Sequence, residues 1–253
     1  MLAGGAACVN VVISRNATPQ RTMDKKIKSY IPERVTDLLQ DLVADRPVGK
    51  DIQRLSSGDR TKRRILDAAF ELFIGAPSED YTMRNLAGGL GMRVGNLTYH
   101  YKTKSELLDS LVRDQLANYA DDILSCLHLN ESTPQDALER VVTLLVQDLR
   151  RPEIAFFPKL WALSLNDPAA ARLMDTIHEL ERQVISGLIG ASRPDWSQED
   201  CESLALHVTA AIEGLTLFIG RNKKSDGIYA APEQEIARVM RVSLETARRP
   251  SKC

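Results

Sequence analysis

Aromatic residues are scarce in this 253-residue chain, at 5% of the sequence, and cysteine occurs only four times. Cys8, Cys126, Cys201 and Cys253 are far apart, form no CxxC pair and have no histidine at metal-ligand spacing. This spacing argues against a zinc site and against a dense disulfide framework. We therefore expect reduced thiols, no metal ion and no cofactor.

The chain also lacks a long uninterrupted apolar run. Its most apolar later stretch, Leu204–Ile219, carries His207 and Glu213, and the apolar start of the chain, residues 2–13, has no basic segment before it. Neither a membrane span nor a signal peptide is predicted from these patterns. We expect a cytoplasmic protein with no membrane partner.

Neither sign of charge dominates, because 33 Lys and Arg residues stand against 34 Asp and Glu residues, for a net charge of −1. Bulk charge is therefore not enough to bind nucleic acid. Between Arg60 and Lys104, however, eight basic residues stand against four acidic ones. Positive charge is concentrated in the first half of the chain.

What the chain has in quantity is the 3.6-residue apolar period, which recurs along most of its length. Side chains that can cap a first helical turn precede many of these stripes, among them Thr82, Thr133 and Ser197. The pattern predicts an all-α fold. The predicted helices from residue 59 onward are Arg60–Ile74, Met83–Gly89, Val94–Tyr101, Lys104–Cys126, Pro134–Arg150, Pro152–Asn166, Pro168–Ile189, Gln198–Arg221 and Pro232–Arg248.

Residues 1–58 are predicted to be a separate N-terminal extension with one possible helix near Pro32–Asp45. That helix could be an arm that docks on the body or on a partner. Met23 is an alternative start that would leave a short disordered tail. Of these interpretations we favour a disordered or loosely packed extension.

The first three helices after residue 59 are short and the later ones are long. This change of scale predicts a small head, residues 59–105, on a larger helical body, residues 106–253. The helix Lys104–Cys126 is expected to belong partly to both. The apolar residues of the short helices are about enough for one small core.

A helix-turn-helix pattern lies within the head. Leu86 and Ala87 stand one turn before Leu90, and Gly91 follows where a sharp turn needs a residue that tolerates positive φ. In the next short helix Leu97 and Tyr101 share the inward face, whereas the outward residues are Asn96, Thr98, Tyr99 and His100. A helix of this kind fits the DNA major groove.

Residues around the two motif helices suit the phosphate backbone. Thr82 offers a hydroxyl at the start of the first motif helix, and His100 and Lys104 stand at the far side. Arg93, before the second helix, could reach a phosphate or a guanine edge. A basic run, Lys62-Arg63-Arg64, precedes the motif and adds to its positive charge.

These residues resemble the DNA-binding signature of the tetracycline-repressor (TetR/AcrR) family. The matching segments are Thr82-Met83-Arg84-Asn85-Leu86-Ala87, Leu90-Gly91-Met92-Arg93-Val94-Gly95-Asn96-Leu97 and Tyr99-His100-Tyr101-Lys102-Thr103-Lys104-Ser105-Glu106-Leu107-Leu108. The resemblance implies phosphate contacts from Thr82, Tyr99, His100 and Lys104. The full predicted set of DNA-binding residues is Lys62, Thr82, Met83, Arg84, Arg93, Val94, Gly95, Asn96, Thr98, Tyr99, His100 and Lys104.

The sequence departs from the family pattern at three places. Gly88-Gly89 replaces better helix formers, Arg93 stands where a small capping residue is usual, and Thr98 stands where tyrosine is usual. None of these changes breaks the register. We expect Arg93 and Thr98 to shape the operator preference of this protein.

The resemblance further implies a bacterial, sequence-specific regulator of transcription, most simply a repressor. It would bind a palindromic operator as a homodimer through helices near 198–221 and 232–248, and a small-molecule effector of unknown identity would release it. The alternatives are a helical interaction protein or an activator-type regulator without small-molecule induction. An enzyme is not predicted, because no catalytic triad order, phosphate-binding loop or dinucleotide motif occurs.

The sequence does not decide the roles of several residues of the body. Phe156, Phe157 and Trp161 are expected to be core residues, with an effector cavity as the alternative. His207 and Glu213 could be interior groups, interface groups or ligand contacts. The apolar stripes of the last two predicted helices could form a dimer interface or be buried within one chain. The stripe of Gln198–Arg221 comprises Leu204, Val208, Ala211, Ile212, Leu215 and Ile219, and that of Pro232–Arg248 comprises Ile236, Val239, Met240, Ser243 and Leu244.

Overall fold

A computed structural model of the chain describes residues 32–127, 133–219 and 231–246. Within these ranges the secondary structure is entirely helical, which confirms the predicted fold class. The α-helices are α1 (Glu33–Ala44), α2 (Ser57–Gly75), α3 (Met83–Gly89), α4 (Val94–His100), α5 (Lys104–Leu127), α6 (Pro134–Asp148), α7 (Phe156–Ser164), α8 (Pro168–Ser192), α9 (Gln198–Leu215) and α10 (Pro232–Thr246). Short 3-10 helices occupy Ile52–Arg54, Ser78–Asp80 and Pro152–Ala155.

The helices begin where polar side chains satisfy the free N–H groups of a first turn. The Thr82 hydroxyl accepts a hydrogen bond from the backbone N–H of Asn85, at 3.1 Å. Thr133 caps α6 and Ser197 caps α9 through reciprocal capping boxes. These caps were predicted, and they explain why the sequence-derived helix starts agree closely with the structure.

Several helix boundaries differ from the prediction. α2 begins at Ser57 rather than Arg60, because the preceding Ser56 side chain caps it. The predicted helix Pro152–Asn166 is a 3-10 turn followed by α7. α9 ends at Leu215, where the next N–H groups bond three residues back and tighten the turn. Its predicted end at Arg221 lies outside the described residues.

The N-terminal helix α1 is firmly packed. Val35 and Leu39 are each 1% exposed, and α1 lies against α5 and α8. The favoured interpretation of a loosely packed extension is therefore wrong for α1, which the docking-arm alternative describes. The alternative start at Met23 lies outside the described residues.

Buried apolar side chains form two clusters. The first joins α2, α3 and α4 to the first half of α5, to α7 and to the start of α8. The second joins α1, the last third of α5, α6, the end of α8, α9 and α10. Helix α5 belongs to both clusters, as predicted.

Helices α2, α3 and α4 do not form a complete core by themselves, which corrects the sequence interpretation. Phe156 of α7 is fully buried, stacks on Phe70 at a centroid distance of 5.8 Å and lies 5.1 Å from Phe73. Lys159 Nζ donates hydrogen bonds to the backbone carbonyls of Phe73 (3.0 Å) and Ala76 (2.6 Å) at the end of α2. The body therefore completes the core of the head.

Candidate nucleic-acid interface and body cavity

Helices α3 and α4 form the predicted helix-turn-helix. Gly91 has φ of 65°, the left-handed conformation that favours glycine, and the Met92 N–H bonds to the Ala87 carbonyl at 2.9 Å. Leu86 and Leu97 are buried at 3% and 0% exposure. The turn glycine and the inward apolar residues are thus placed as the sequence predicted.

The outer surface of α4 carries the predicted contact residues. Tyr99 is 84% exposed, and Val94 and Asn96 are also exposed. Thr98 and His100 are half-buried; the His100 ring lies edge-on to Tyr99, with the centroids 5.2 Å apart. Tyr99 is thus a large aromatic side chain exposed beside polar groups, which favours contact with another molecule.

The start of α4 is open to an approaching backbone. Arg93 precedes the helix, and its guanidinium makes no capping hydrogen bond, so it is available for another role. Gly95 is exposed, and no other atom within 4 Å would restrict a side chain there. Packing within the chain therefore does not require glycine at this position.

Lys104 and the start of α3 lie close together. The Lys104 ammonium sits over the Tyr81 ring, 5.1 Å from its centroid, and Tyr81 immediately precedes Thr82. Arg84 is exposed on α3, whereas Met83 is half-buried against the head cluster. The structure thus brings Lys104 beside the Thr82 end of the motif.

The basic run of α2 is not a single charged surface. Arg63 is buried, and its guanidinium forms two hydrogen bonds to the Asp114 carboxylate, at 2.7 and 2.8 Å, and a third to Asp67. Burial alone lowers the pKa of Arg63, but the hydrogen bonds and charges of Asp114 and Asp67 outweigh it and raise that pKa above its usual value. Within the run, only Lys62 and Arg64 remain for an outside partner.

Sequence reasoning missed the Arg63–Asp114 pair because the two residues lie 51 positions apart and neither belongs to a local motif. The signal that could have indicated this pair was the position of Arg63 within the apolar stripe of α2. Asp114, likewise, stands between Val112 and Leu116 on the buried face of α5. A charged residue on a buried face is seldom left without a partner.

A cavity of about 80 Å³ lies in the body, lined by α1 and by helices α5 to α9. It is several times larger than a single buried water requires. Most of its wall is apolar. The polar lining residues are Tyr119, Glu181, Glu213 and Thr216.

Two carboxyl groups give this cavity an acidic character. Burial and the nearby charge of Glu213 raise the pKa of Glu181 to about 8. Burial also raises the pKa of Glu213, although the charge of His178 opposes this effect. Glu181 Oε1 is buried and has no hydrogen-bond partner in the part of the chain that the structure describes. The sequence analysis singled out Glu213 but missed Glu181.

The three aromatic residues of α7 have different positions. Phe156 is a core residue, as expected. Phe157 lines the cavity and lies edge-on to Tyr119, with the centroids 5.2 Å apart. Trp161 is 55% exposed, so its assignment to the core is wrong. Of the two open polar residues, Glu213 lines the cavity and His207 is exposed.

The apolar stripes of α9 and α10 pack mainly within the chain. Val208, Ile212 and Met240 are buried in the body cluster, whereas Val239 is 52% exposed. Five large apolar side chains are exposed on these helices and just after α9, and only Val239 among them belongs to a predicted stripe. They are Leu206, Leu217, Phe218, Val239 and Val242. The predicted stripes thus serve the core of one chain more than an outer face.

Residues 32–127, 133–219 and 231–246 contain neither a membrane-spanning helix nor a cluster of metal ligands. No helix in these ranges is both long and apolar enough to cross a bilayer. The same residues contain no group of three or more histidine, cysteine or acidic side chains arranged to hold a metal ion.

Two family models match the chain. Residues 65–111 match the model of bacterial regulatory proteins of the TetR family, and residues 134–248 match that of the C-terminal domain of BetI-type transcriptional repressors. The HTH-type transcriptional regulator BetI of Escherichia coli K12 is 24% identical over 163 residues, which cover 62% of this chain and 80% of BetI. These relatives are regulators rather than enzymes.

Solved structures share the fold. A transcriptional regulator of Saccharomonospora viridis, determined in complex with choline, superposes with a TM-score of 0.58 at 21% identity, over 74% of this chain and 97% of that one. GusR of Salmonella enterica gives a TM-score of 0.61 at 16% identity, over 76% and 99% of the two chains. The helix-turn-helix, the helical body and both family models lead to one assignment: this chain belongs to the TetR family of bacterial transcriptional regulators.

Proposed function

We propose that the protein is a homodimeric repressor that binds a near-palindromic operator and is released by a small cationic effector. The observation that carries the DNA-binding part is the outer surface of α4, where exposed Asn96 and Tyr99 stand beside Thr98 and His100. Two such helices, one from each subunit, would enter successive major grooves. Occupancy of the operator would block transcription nearby.

The DNA contacts divide into two groups in this proposal. Residues at the start and on the outer face of α4 read bases, namely Arg93, Val94, Gly95, Asn96 and Thr98. Residues around them position the head on the phosphate backbone. This second group comprises Lys62, Thr82, Met83, Arg84, Tyr99, His100 and Lys104. Met83 would contribute mainly by packing, since it is half-buried.

A homodimer is needed because one head, residues 59–105, reads too few bases to be selective. The exposed apolar residues of α9 and α10 support an interface there. Leu206 and Leu217 share a stripe with the small residues Ala210 and Gly214, and Val239 lies on the neighbouring helix. Small residues at such spacing let helices approach closely.

The effector would bind in the body cavity, residues 106–253 supplying most of its wall. A bound cation would lower the raised pKa values of Glu181 and Glu213 and pair with their carboxylates. The rings of Tyr119 and Phe157 offer aromatic surface to the same cation. The S. viridis regulator was determined with choline, a small quaternary ammonium ion. Choline is therefore the first compound to test here.

Selection of bound genomic fragments by the full-length protein tests the DNA-binding proposal. We expect enrichment of one inverted-repeat sequence, and a protein–DNA complex with two chains by sedimentation. Lys104→Gln should weaken all fragments alike and reduce the slope of log affinity against log salt by about 1. Arg182→Gln, on the body surface, is the matched control. Failure to enrich any sequence would contradict the proposal.

A further inference from the structure

The segment from α1 to Arg54 lies outside both family models, yet it is built into the body. Val35 is 1% exposed and rests against α8 at Gly187. A Cβ added at Gly187 would overlap Cγ2 of Val35. Glycine at position 187 therefore leaves the space that Val35 of α1 occupies, and any larger residue would fill it. We call residues 33–54 the N-terminal clasp.

The clasp forms part of the cavity wall. Leu39 and Leu42, three residues apart on α1, both line the cavity. Leu39 is 1% exposed. Leu42 packs against both apolar clusters, the one that includes the head and the one that fills the body. A ligand in the cavity would therefore touch the clasp directly.

The clasp also shares a carboxylate with the head. The Arg46 guanidinium is nearly buried and donates hydrogen bonds to Asn118 (2.7 Å), Asp121 (2.6 Å) and, more weakly, Asp114 (3.4 Å) of α5. Asp114 is 2% exposed and also holds Arg63 of α2. Beyond Arg46, Val48 is buried in the cluster of the head. One element thus contacts the cavity, helix α5 and the head.

We propose that the N-terminal clasp is the element through which an occupant of the cavity changes the position of the head. The proposal rests on the function proposed above, since it assigns the regulation of the same cavity. An occupant that displaces Leu39 and Leu42 shifts α1, and Arg46 carries that shift to the α5 carboxylate that anchors Arg63. Such an occupant binds the two head positions with different affinity, as allosteric control requires.

Substitutions that displace α1 from α8 test the proposal without any ligand. Gly187→Ala should displace α1, and Val35→Ala added to it should restore the seat by removing the overlapping methyl groups. Gly190→Ala is the matched control, because it makes the same change three residues later on α8, where an added Cβ meets only ordinary contact with Cys201 at 3.7 Å. Both alanines improve helix propensity equally.

The first readout is amide hydrogen exchange of the full chain. In Gly187→Ala we expect exchange to rise roughly tenfold in residues 33–44 and at least about threefold in residues 57–75 and 83–100. Gly190→Ala and the Val35→Ala/Gly187→Ala pair should match the parent protein. Faster exchange confined to α1, or no change in α1, would overturn the proposal.

The second readout is affinity for the selected operator. Gly187→Ala and Arg46→Met should each change it by roughly fivefold or more, a typical allosteric coupling. Arg54→Met, in the same segment but paired only with Asp51, should leave it unchanged. Unchanged affinity in both test variants would overturn the proposal while leaving DNA binding intact. If no variant binds any operator, the proposed function fails, and hydrogen exchange alone decides the role of the clasp.

Discussion

The head and the body present their chemistry in opposite ways. In the head, all candidate contact residues except Lys62 lie in one stretch, 82–104, and each is exposed or half-buried. In the body, Tyr119, Glu181 and Glu213 come from three helices and meet around a cavity. A surface motif of this kind is visible in sequence because spacing alone sets its geometry. A cavity depends on how distant helices pack.

The two regions are nonetheless bound together more tightly than their sequences suggest. Phe156 of α7 packs into the core of the head, and Arg63 of α2 donates hydrogen bonds to Asp114 of α5. Lys159 bonds to the last carbonyls of α2. The head and the body are therefore joined by direct contacts.

The largest expected effect comes from breaking the anchor between the two regions. Asp114→Ala leaves the guanidinium of Arg63 without its main buried partner, which should lower the free energy of unfolding by about 3–5 kcal/mol. Asp109→Ala, on the same helix, removes only an exposed pair with Arg113 and should cost about 0–1 kcal/mol. Denaturant unfolding measures both. Equal losses in the two variants would mean that the head is not anchored through Asp114.

A smaller effect is expected on operator affinity alone, without a change in the stability of the fold. Tyr99→Ala removes a side chain that is 84% exposed, so the free energy of unfolding should not change, while operator affinity falls by roughly tenfold through loss of a backbone contact. Trp161→Ala removes another exposed aromatic residue, on α7, and should alter neither quantity. Fluorescence anisotropy with a labelled operator gives the affinities. Equal operator affinity in the parent and Tyr99→Ala would remove Tyr99 from the interface.

The last effect appears as a change with pH and concerns the acidic cavity. The pKa of Glu181 is raised from 4.5 to about 8 on folding, so the folded chain keeps a proton that the unfolded chain has released. Its stabilising contribution is complete below about pH 4.5 and is lost as the pH rises toward 8. Glu181→Gln should remove this pH dependence, because an amide has no proton to release.

Unfolding measured between pH 5 and pH 9 tests this expectation about Glu181. The exposed Glu71→Gln on α2 serves as control and should keep the parent profile. An identical profile in Glu181→Gln and the parent would show that the cavity carboxyl does not retain its proton.

The sequence was sufficient for the features that depend on local spacing. The helix order, most caps, the turn at Gly91 and the outward face of α4 could all be predicted, because each depends on residues within one or two turns. The packing of α1 could not, since its seat depends on a glycine on α8, about 150 positions away. Glu181 was missed for the same reason. Nothing beside it in sequence indicates a cavity.

Helices α9 and α10 show the limit of apolar periodicity. Val208 and Ile212 follow the stripe that predicted a dimer face, but they are buried within one chain. The exposed apolar residues, such as Leu206 and Leu217, lie on another face of the same region. A period indicates that a helix buries one face, and it does not indicate against what that face packs.

The central claim is that a cation in the body cavity weakens operator binding by the head. The direct measurement is operator affinity at increasing tetramethylammonium concentration, for the parent protein and for the Glu181→Gln/Glu213→Gln variant. We expect saturating cation to lower the affinity of the parent by roughly fivefold or more and to leave the double variant unchanged. An unaffected parent, or an equal response in both proteins at matched ionic strength, would contradict the account.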